Sequence, residues 1–150
     1  GRGGEEALFL AGKGIDFEFI PGITSAIAVP EMANIPITHR GKSVSFRVVT
    51  GYEAPDKGYA QLDWNSFRHD EPIIFLMGLH QFENICKQTI YVGKSTDHPI
   101  AVISRGTLTD EKVIVGTLGD IYEKAKDLPT PALIVVGEVV SVREILQGEV

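Results

Sequence analysis

The residues of this 150-residue chain that could bind a ligand or do chemistry are of two kinds. The first is a set of cations: His39, Arg40 and Lys42 within IPITHRGKS, Arg47 in the apolar run that follows, and Arg105 in ISRGT. An arginine fork matches a carboxylate bidentately, so this grouping reads either as a solvated hinge or as an anion site. The second kind is small residues where apolar runs stop, namely Gly22 to Ala26 in PGITSA and the glycines of FLMG, ISRGT and IVVGE. Glycine at a strand end makes a turn, and it also lets a ligand approach backbone. In open α/β sheets ligands collect beyond such ends. Thr24 or Ser25 is placed to cap a helix beginning in AIAVPEMAN.

Other chemistries leave no trace. There is no phosphate-binding G-x-x-x-x-G-K-[ST] loop and no G-x-S-x-G elbow. His39, His69, His80 and His98 lack metal-ligand spacing with one another or with Cys86, so zinc is not expected. Cys86 is the single cysteine. It reads as a buried small hydrophobe, and its isolation favours a reducing compartment, here taken as the cytoplasm.

Elements must position these groups. Glu5 to Lys13 has acidic residues in its first turn and Gly14 as a stop, which predicts a helix. DFEFI (16–20) alternates as a strand would. The PGIT turn then feeds the Ala26–Asn34 helix, which Pro30 limits or kinks. After the linker at Ile35–Gly41 come a strand in SVSFRVVTG, a polar loop, and a helical turn around Trp64. PIIFLMG, PIAVISRGT, EKVIVGTL and PALIVVGEVV read as further strands, with helices at Gln81–Tyr91 and in GDIYEKAKDL. The alternation predicts an α/β sandwich around a largely buried sheet.

A chain this long buries roughly 70% of its unfolded surface, enough for a real core. Its net charge of −6 argues against a nucleic-acid partner but leaves room for a local basic pocket. No run is apolar enough to span a bilayer. The opening GRGGEEALFLAGKG reads as a glycine turn feeding straight into a helix, which predicts a piece of a longer chain.

In order and spacing, GRGGEEA, PGITSAIAVPEMANIPITHRG, VVTGYE, LDW, FLMG, SRGT, VGTL and PALIVVGEVV resemble the uroporphyrinogen-III C-methyltransferases. The methylating module of siroheme synthase is of the same kind. The resemblance covers nearly the whole chain. The PGITSA to THRG block is specific, whereas FLMG and PALIVVGEVV are shared more widely among tetrapyrrole methylases.

The resemblance implies a two-lobed α/β tetrapyrrole methylase fold with a mixed sheet in the C-terminal lobe. Residues 1–40 would be the end of the N-terminal lobe plus the interlobe linker, and residues 41–150 the C-terminal lobe. It implies S-adenosyl-L-methionine as cofactor, S-adenosyl-L-homocysteine as product, a tetrapyrrole substrate, and a homodimer. Thr24, Ser25, Met77, Gly106 and Ala132 would contact the cofactor. Arg2, His39, Arg40, Arg47 and Arg105 would face the acidic substrate. The family's N-terminal glycine-proline loop and GGDP turn have no counterpart here. The catalytic acid and base are therefore expected in the missing part, and this piece is expected to be inactive alone. Alternatives are a later precorrin methyltransferase, or a ligand-binding or dimerisation module without catalysis.

Overall fold

A computed structural model describes residues 3–51, 62–68 and 70–148. Arg2, the predicted polar loop at 52–61 and His69 lie outside them. Helix α1 (Gly3–Gly12) starts with Glu5 and Glu6 near its positive dipole end. It stops at Gly14 (φ 66°), where Ile15 N donates to Leu10 O at 3.1 Å and Gly14 N to Ala11 O at 3.0 Å. This pairing is the glycine-closed helix end expected from the sequence.

The strand expected at 16–20 is absent, and residues 15–24 carry no regular structure. Alternation supplies a two-faced pattern, but a strand also needs a neighbour to take its N–H and C=O groups. Among the described residues none lies alongside. Helix α1 buries nothing, and Leu8, Phe9, Phe17, Phe19, Ile20 and Ile23 are all exposed.

Helix α2 (Ser25–Met32) begins where the sequence places it: Thr24 is extended, and its Oγ1 accepts from Ala26 N at 3.3 Å. Pro30 lies inside, cannot donate to the preceding turn, and the helix ends two residues later. Ala26 and Val29, then Ala33, Ile35 and Ile37, turn inward.

The sheet has five strands: β1 (Arg47–Thr50), β2 (Ile73–Leu76), β3 (Pro99–Ser104), β4 (Lys112–Thr117) and β5 (Ala132–Val136). Their order is β1-β2-β5-β3-β4. Only β1 and β2 pair in parallel; β5 lies antiparallel between β2 and β3, and β4 antiparallel to β3. The sheet is therefore mixed.

Successive side chains on each central strand enter opposite cores, which is why the runs are apolar throughout rather than alternating. Ile73, Phe75, Ile100, Val102, Ile134 and Val136 pack under α3 (Phe82–Tyr91) and α4 (Ile121–Ala125). Trp64 joins this layer from a 3₁₀ turn, Trp64–Arg68, its ring stacked 6.1 Å from Phe75. Ile74, Ala101, Ile103, Leu133 and Val135 pack against α2, residues 33–37, and Val139 and Val140. Helix α5 (Ser141–Gln147), unforeseen in the sequence, closes the chain after this layer. Each fully buried aliphatic or aromatic side chain contributes about 1.5–3 kcal/mol, so the two layers hold the sheet rigid beneath the site.

Candidate functional site

Because β2 and β3 both oppose β5, they run the same way, and their C-terminal ends meet the start of β5 at one edge of the sheet. A cavity of about 520 Å³ opens there, under the first turns of α2. Ser25, Met77, Gly106 and Ala132, each of which the family resemblance assigns to a ligand, all line it. Thr24 does not; it caps the helix that carries Ser25.

The third glycine turn, in IVVGE, does not belong to this group. The sequence suggests three strand ends gathering together, but β5 runs the opposite way and delivers Gly137 to the far edge. There its N–H donates to Pro99 O at 3.0 Å.

The backbone around the cavity is unusual. Met77 (φ 56°), Arg105 (φ 53°) and Thr107 (φ 69°) adopt left-handed conformations that residues with a Cβ seldom enter. Hydrogen bonds hold each turn. Arg105 N donates to Pro131 O at 2.7 Å, and Thr107 N to the Glu111 carboxylate at 2.7 Å. Gly51 N donates to Leu76 O at 2.7 Å, and a Cβ on Gly51 would stand 2.4 Å from Gly78 Cα. The exit of β1 therefore lies directly on the backbone of the Met77 turn, which only glycine permits.

The walls are mainly apolar, from Val29, Leu76, Ile103 and Leu133, with His80 and the cis Thr130-Pro131 pair completing the lining. Sequence reasoning missed these residues. Val29 was within reach, since it lies one helical turn after Ser25 on the same face. His80 had a weaker signal, its nearness to FLMG.

The cations expected to face a substrate do not gather here. None of His39, Arg40, Arg47 and Arg105 lines the cavity. His39 and Ser43 exchange backbone hydrogen bonds of 3.0 and 2.9 Å, forming a turn with Arg40 exposed at its tip. Arg47 is engaged within the protein: it pairs with Glu71 at 2.6 Å, donates to Ser66 Oγ at 2.5 Å, and lies over the Phe67 ring. Arg105, next to Gly106, holds Asp110 at 2.6 Å, and this hydrogen bond keeps the Asp110 carboxyl below its usual range. Burial pushes the Cys86 thiol up to about 11, so it stays protonated on the α3 side of the sheet.

The donor set suits a mixed small molecule. The volume lies within the usual range for ligand pockets, roughly 300–1,000 Å³. A hydroxyl at Ser25, an imidazole at His80 and turned backbone at Met77 are set among apolar walls. Such a lining accommodates a largely apolar small molecule with a few polar groups better than a polyanion. Among the described residues no group of His, Cys, Asp and Glu has the geometry to hold a metal ion, and no helix is long and apolar enough to cross a membrane.

Comparison with known proteins points the same way. The model of the tetrapyrrole (corrin/porphyrin) methylases matches residues 1–122. A uroporphyrinogen-III C-methyltransferase of Methanocaldococcus jannaschii is 52% identical over 95% of this chain and 60% of its own length. A siroheme synthase of Acinetobacter baylyi is 41% identical over 98% of this chain and 32% of its own. The crystal structure of uroporphyrin-III C-methyltransferase from Thermus thermophilus, complexed with S-adenosyl homocysteine, superposes with a TM-score of 0.79 at 32% identity. That match covers 95% of this chain and 62% of the other. The chain thus spans about 60% of the methanogen relative's length. With its mixed five-stranded sheet, its strand-end cavity and a family match over most of its residues, the chain belongs to the tetrapyrrole methylases.

Proposed function

We propose that this chain supplies the C-terminal lobe, and part of the cofactor pocket, of an S-adenosyl-L-methionine-dependent methyltransferase. The enzyme would convert uroporphyrinogen III to precorrin-2, toward siroheme or cobalamin. The observation that carries the reading is the convergence of Ser25, Met77, Gly106 and Ala132 on one apolar cavity. In the relative complexed with S-adenosyl homocysteine, the same fold accompanies that ligand.

In this reading residues 1–40 end the N-terminal lobe and form the linker, and residues 41–150 are the C-terminal lobe. Helix α2 reaches across from the former to pack on the sheet of the latter. When bound, S-adenosylmethionine supplies the methyl group. The protein's own part is placement. Thr24 fixes the start of α2, and Ser25 offers a hydroxyl donor. Leu76, Ile103 and Leu133 exclude water, and the braced turns at Met77 and Arg105 keep the cavity in shape without reorganisation. Displacement at carbon depends chiefly on such positioning. The exposed His39 and Arg40 lie at a turn where a substrate bearing eight carboxylates could be held, with Arg47 and Arg105 behind structural pairings of their own. The enzyme acts as a cytoplasmic homodimer in this account, without nucleic acid or membrane as partner.

Calorimetric titration of the chain with S-adenosylhomocysteine tests the pocket, and saturable one-site binding is expected. Methyl transfer is expected only after joining the chain to the segments that the Methanocaldococcus relative carries beyond the match. In that fusion, Arg40→Ala should raise KM for the tetrapyrrole and spare cofactor affinity. If neither chain nor fusion takes up S-adenosylhomocysteine, the reading fails.

A further inference from the structure

Gly106 lies in a turn where its glycine identity is not explained by conformation. Its neighbours Arg105 and Thr107 both have positive φ, while Gly106 itself stays outside the left-handed region. A residue with a Cβ could therefore take its backbone angles. The reason for glycine is space: a Cβ there would stand 2.3 Å from Val29 Cγ1 and 3.0 Å from Val29 Cγ2, both on α2. Contacts that short do not occur without displacement of one partner.

The two sides of this contact are unequal in freedom. The 105–107 turn is fixed by Arg105 N to Pro131 O, by the Arg105–Asp110 pair, and by Thr107 N to Glu111. Helix α2 is short, is interrupted at Pro30, and begins after a segment exposed throughout residues 11–25. A side chain at Gly106 would push α2, not the turn. Ser25 stands one helical turn before Val29 on the same face, over the cavity.

We infer that Gly106 is a positioning residue: by admitting Val29 it seats α2 against the β3 turn and so sets how Ser25 overhangs the cavity. This deepens, and rests on, the reading of that cavity as a cofactor pocket. Its function is to leave room for a helix, distinct from the backbone-to-ligand approach that the sequence alone assigns to it.

A substitution cycle in the 150-residue chain tests the pair, with amide hydrogen exchange across residues 26–29 and S-adenosylhomocysteine affinity read side by side. Gly106→Ala should speed exchange in α2 and weaken affinity about tenfold, as overpacking that displaces a contact group does. Val29→Ala removes both clashing methyl groups and leaves only its Cβ at 3.2 Å, a contact that a shift of a few tenths of an ångström relieves. The double variant Gly106→Ala/Val29→Ala should therefore recover slow exchange. Its affinity should lie within about threefold of Val29→Ala alone, the proper reference because Val29 is itself a wall of the cavity. A merely destabilising effect of alanine would add in the double variant instead of cancelling. No rescue, or faster exchange without weaker binding, would overturn the assignment. If the parent chain binds no S-adenosylhomocysteine, affinity is read in the fusion; if the fusion binds none either, the cofactor reading falls, and the exchange data alone decide whether Gly106 seats α2.

Discussion

At one end of the sheet the strands run out into a hollow; at the other they meet a packed group of charges. The hollow end, around Met77, Gly106 and Ala132, is apolar, and its strain sits in three non-glycine residues of positive φ. The far end holds Lys94, only 7% exposed, with His98, Asp70 and Glu138 acting on one another there. His98 Nδ1 is 3.6 Å from Glu138, and Arg47 pairs with Glu71 at the same edge. Gly137 fits tightly against Pro72 there. The difference separates two uses of a sheet end. Filling it with compensated charge and close backbone contact stabilises the domain. Leaving it open, with turns locked in costly conformations, makes a site.

The comparison breaks most visibly at Gly137. Its φ is 153°, and a Cβ would stand 3.0 Å from Pro72 Cα, so strain and overlap act together. Gly137→Ala should cost about 2–3 kcal/mol in urea unfolding, while the folded fraction keeps its S-adenosylhomocysteine affinity. Loss of affinity in a variant of unchanged stability would show that the two ends are not separable.

How far the sequence revealed this division depends on the residue. PIIFLMG and PIAVISRGT are legible as buried strands because proline and glycine bound apolar runs with no polar face. Thr24 is legible as a cap because a hydroxyl precedes a helical stretch. The direction of β5 is not legible, since an apolar strand reads the same either way. It is that direction which sends Gly137 to the charged end and Ala132 to the cavity. Nor is the pairing of Arg47 with Glu71, which lie on neighbouring strand entries but far apart in sequence. Arg47 therefore looks like a free cation until the sheet is assembled. DFEFI misleads for a related reason: alternation describes a strand's faces and is silent about its partner.

A smaller effect comes from acid at the charged end. Burial holds His98 below its ordinary 6.5, Lys94 pushes the same way, and Glu138 and Asp70 oppose them. The unfolded chain therefore takes up this proton more readily than the folded one. His98 contributes stability that is present above about pH 6.5 and is lost as pH falls through its lower folded value. Urea midpoints followed from neutral pH to about pH 5 should decline, and less steeply in His98→Gln. An identical decline in the variant would remove His98 from the account.

The smallest expected change in stability lies at Met77, and it sharpens the comparison by having the opposite sign. Met77 is 60% exposed, so its side chain packs little against the protein, yet it occupies φ 56° at the cavity rim. Glycine enters that conformation without steric cost but loses more chain entropy on folding; the two effects nearly offset. Met77→Gly should therefore leave unfolding stability unchanged or raise it by up to about 1 kcal/mol. Its affinity for S-adenosylhomocysteine should nonetheless fall several-fold, because the group removed lines the ligand's cavity and not the core. Thermal unfolding and calorimetry on the same preparation read both quantities. A large loss of stability with affinity intact would place Met77 among the structural contacts. It would also mean that a positive φ at the hollow end reflects packing, as the Gly137 turn does at the other.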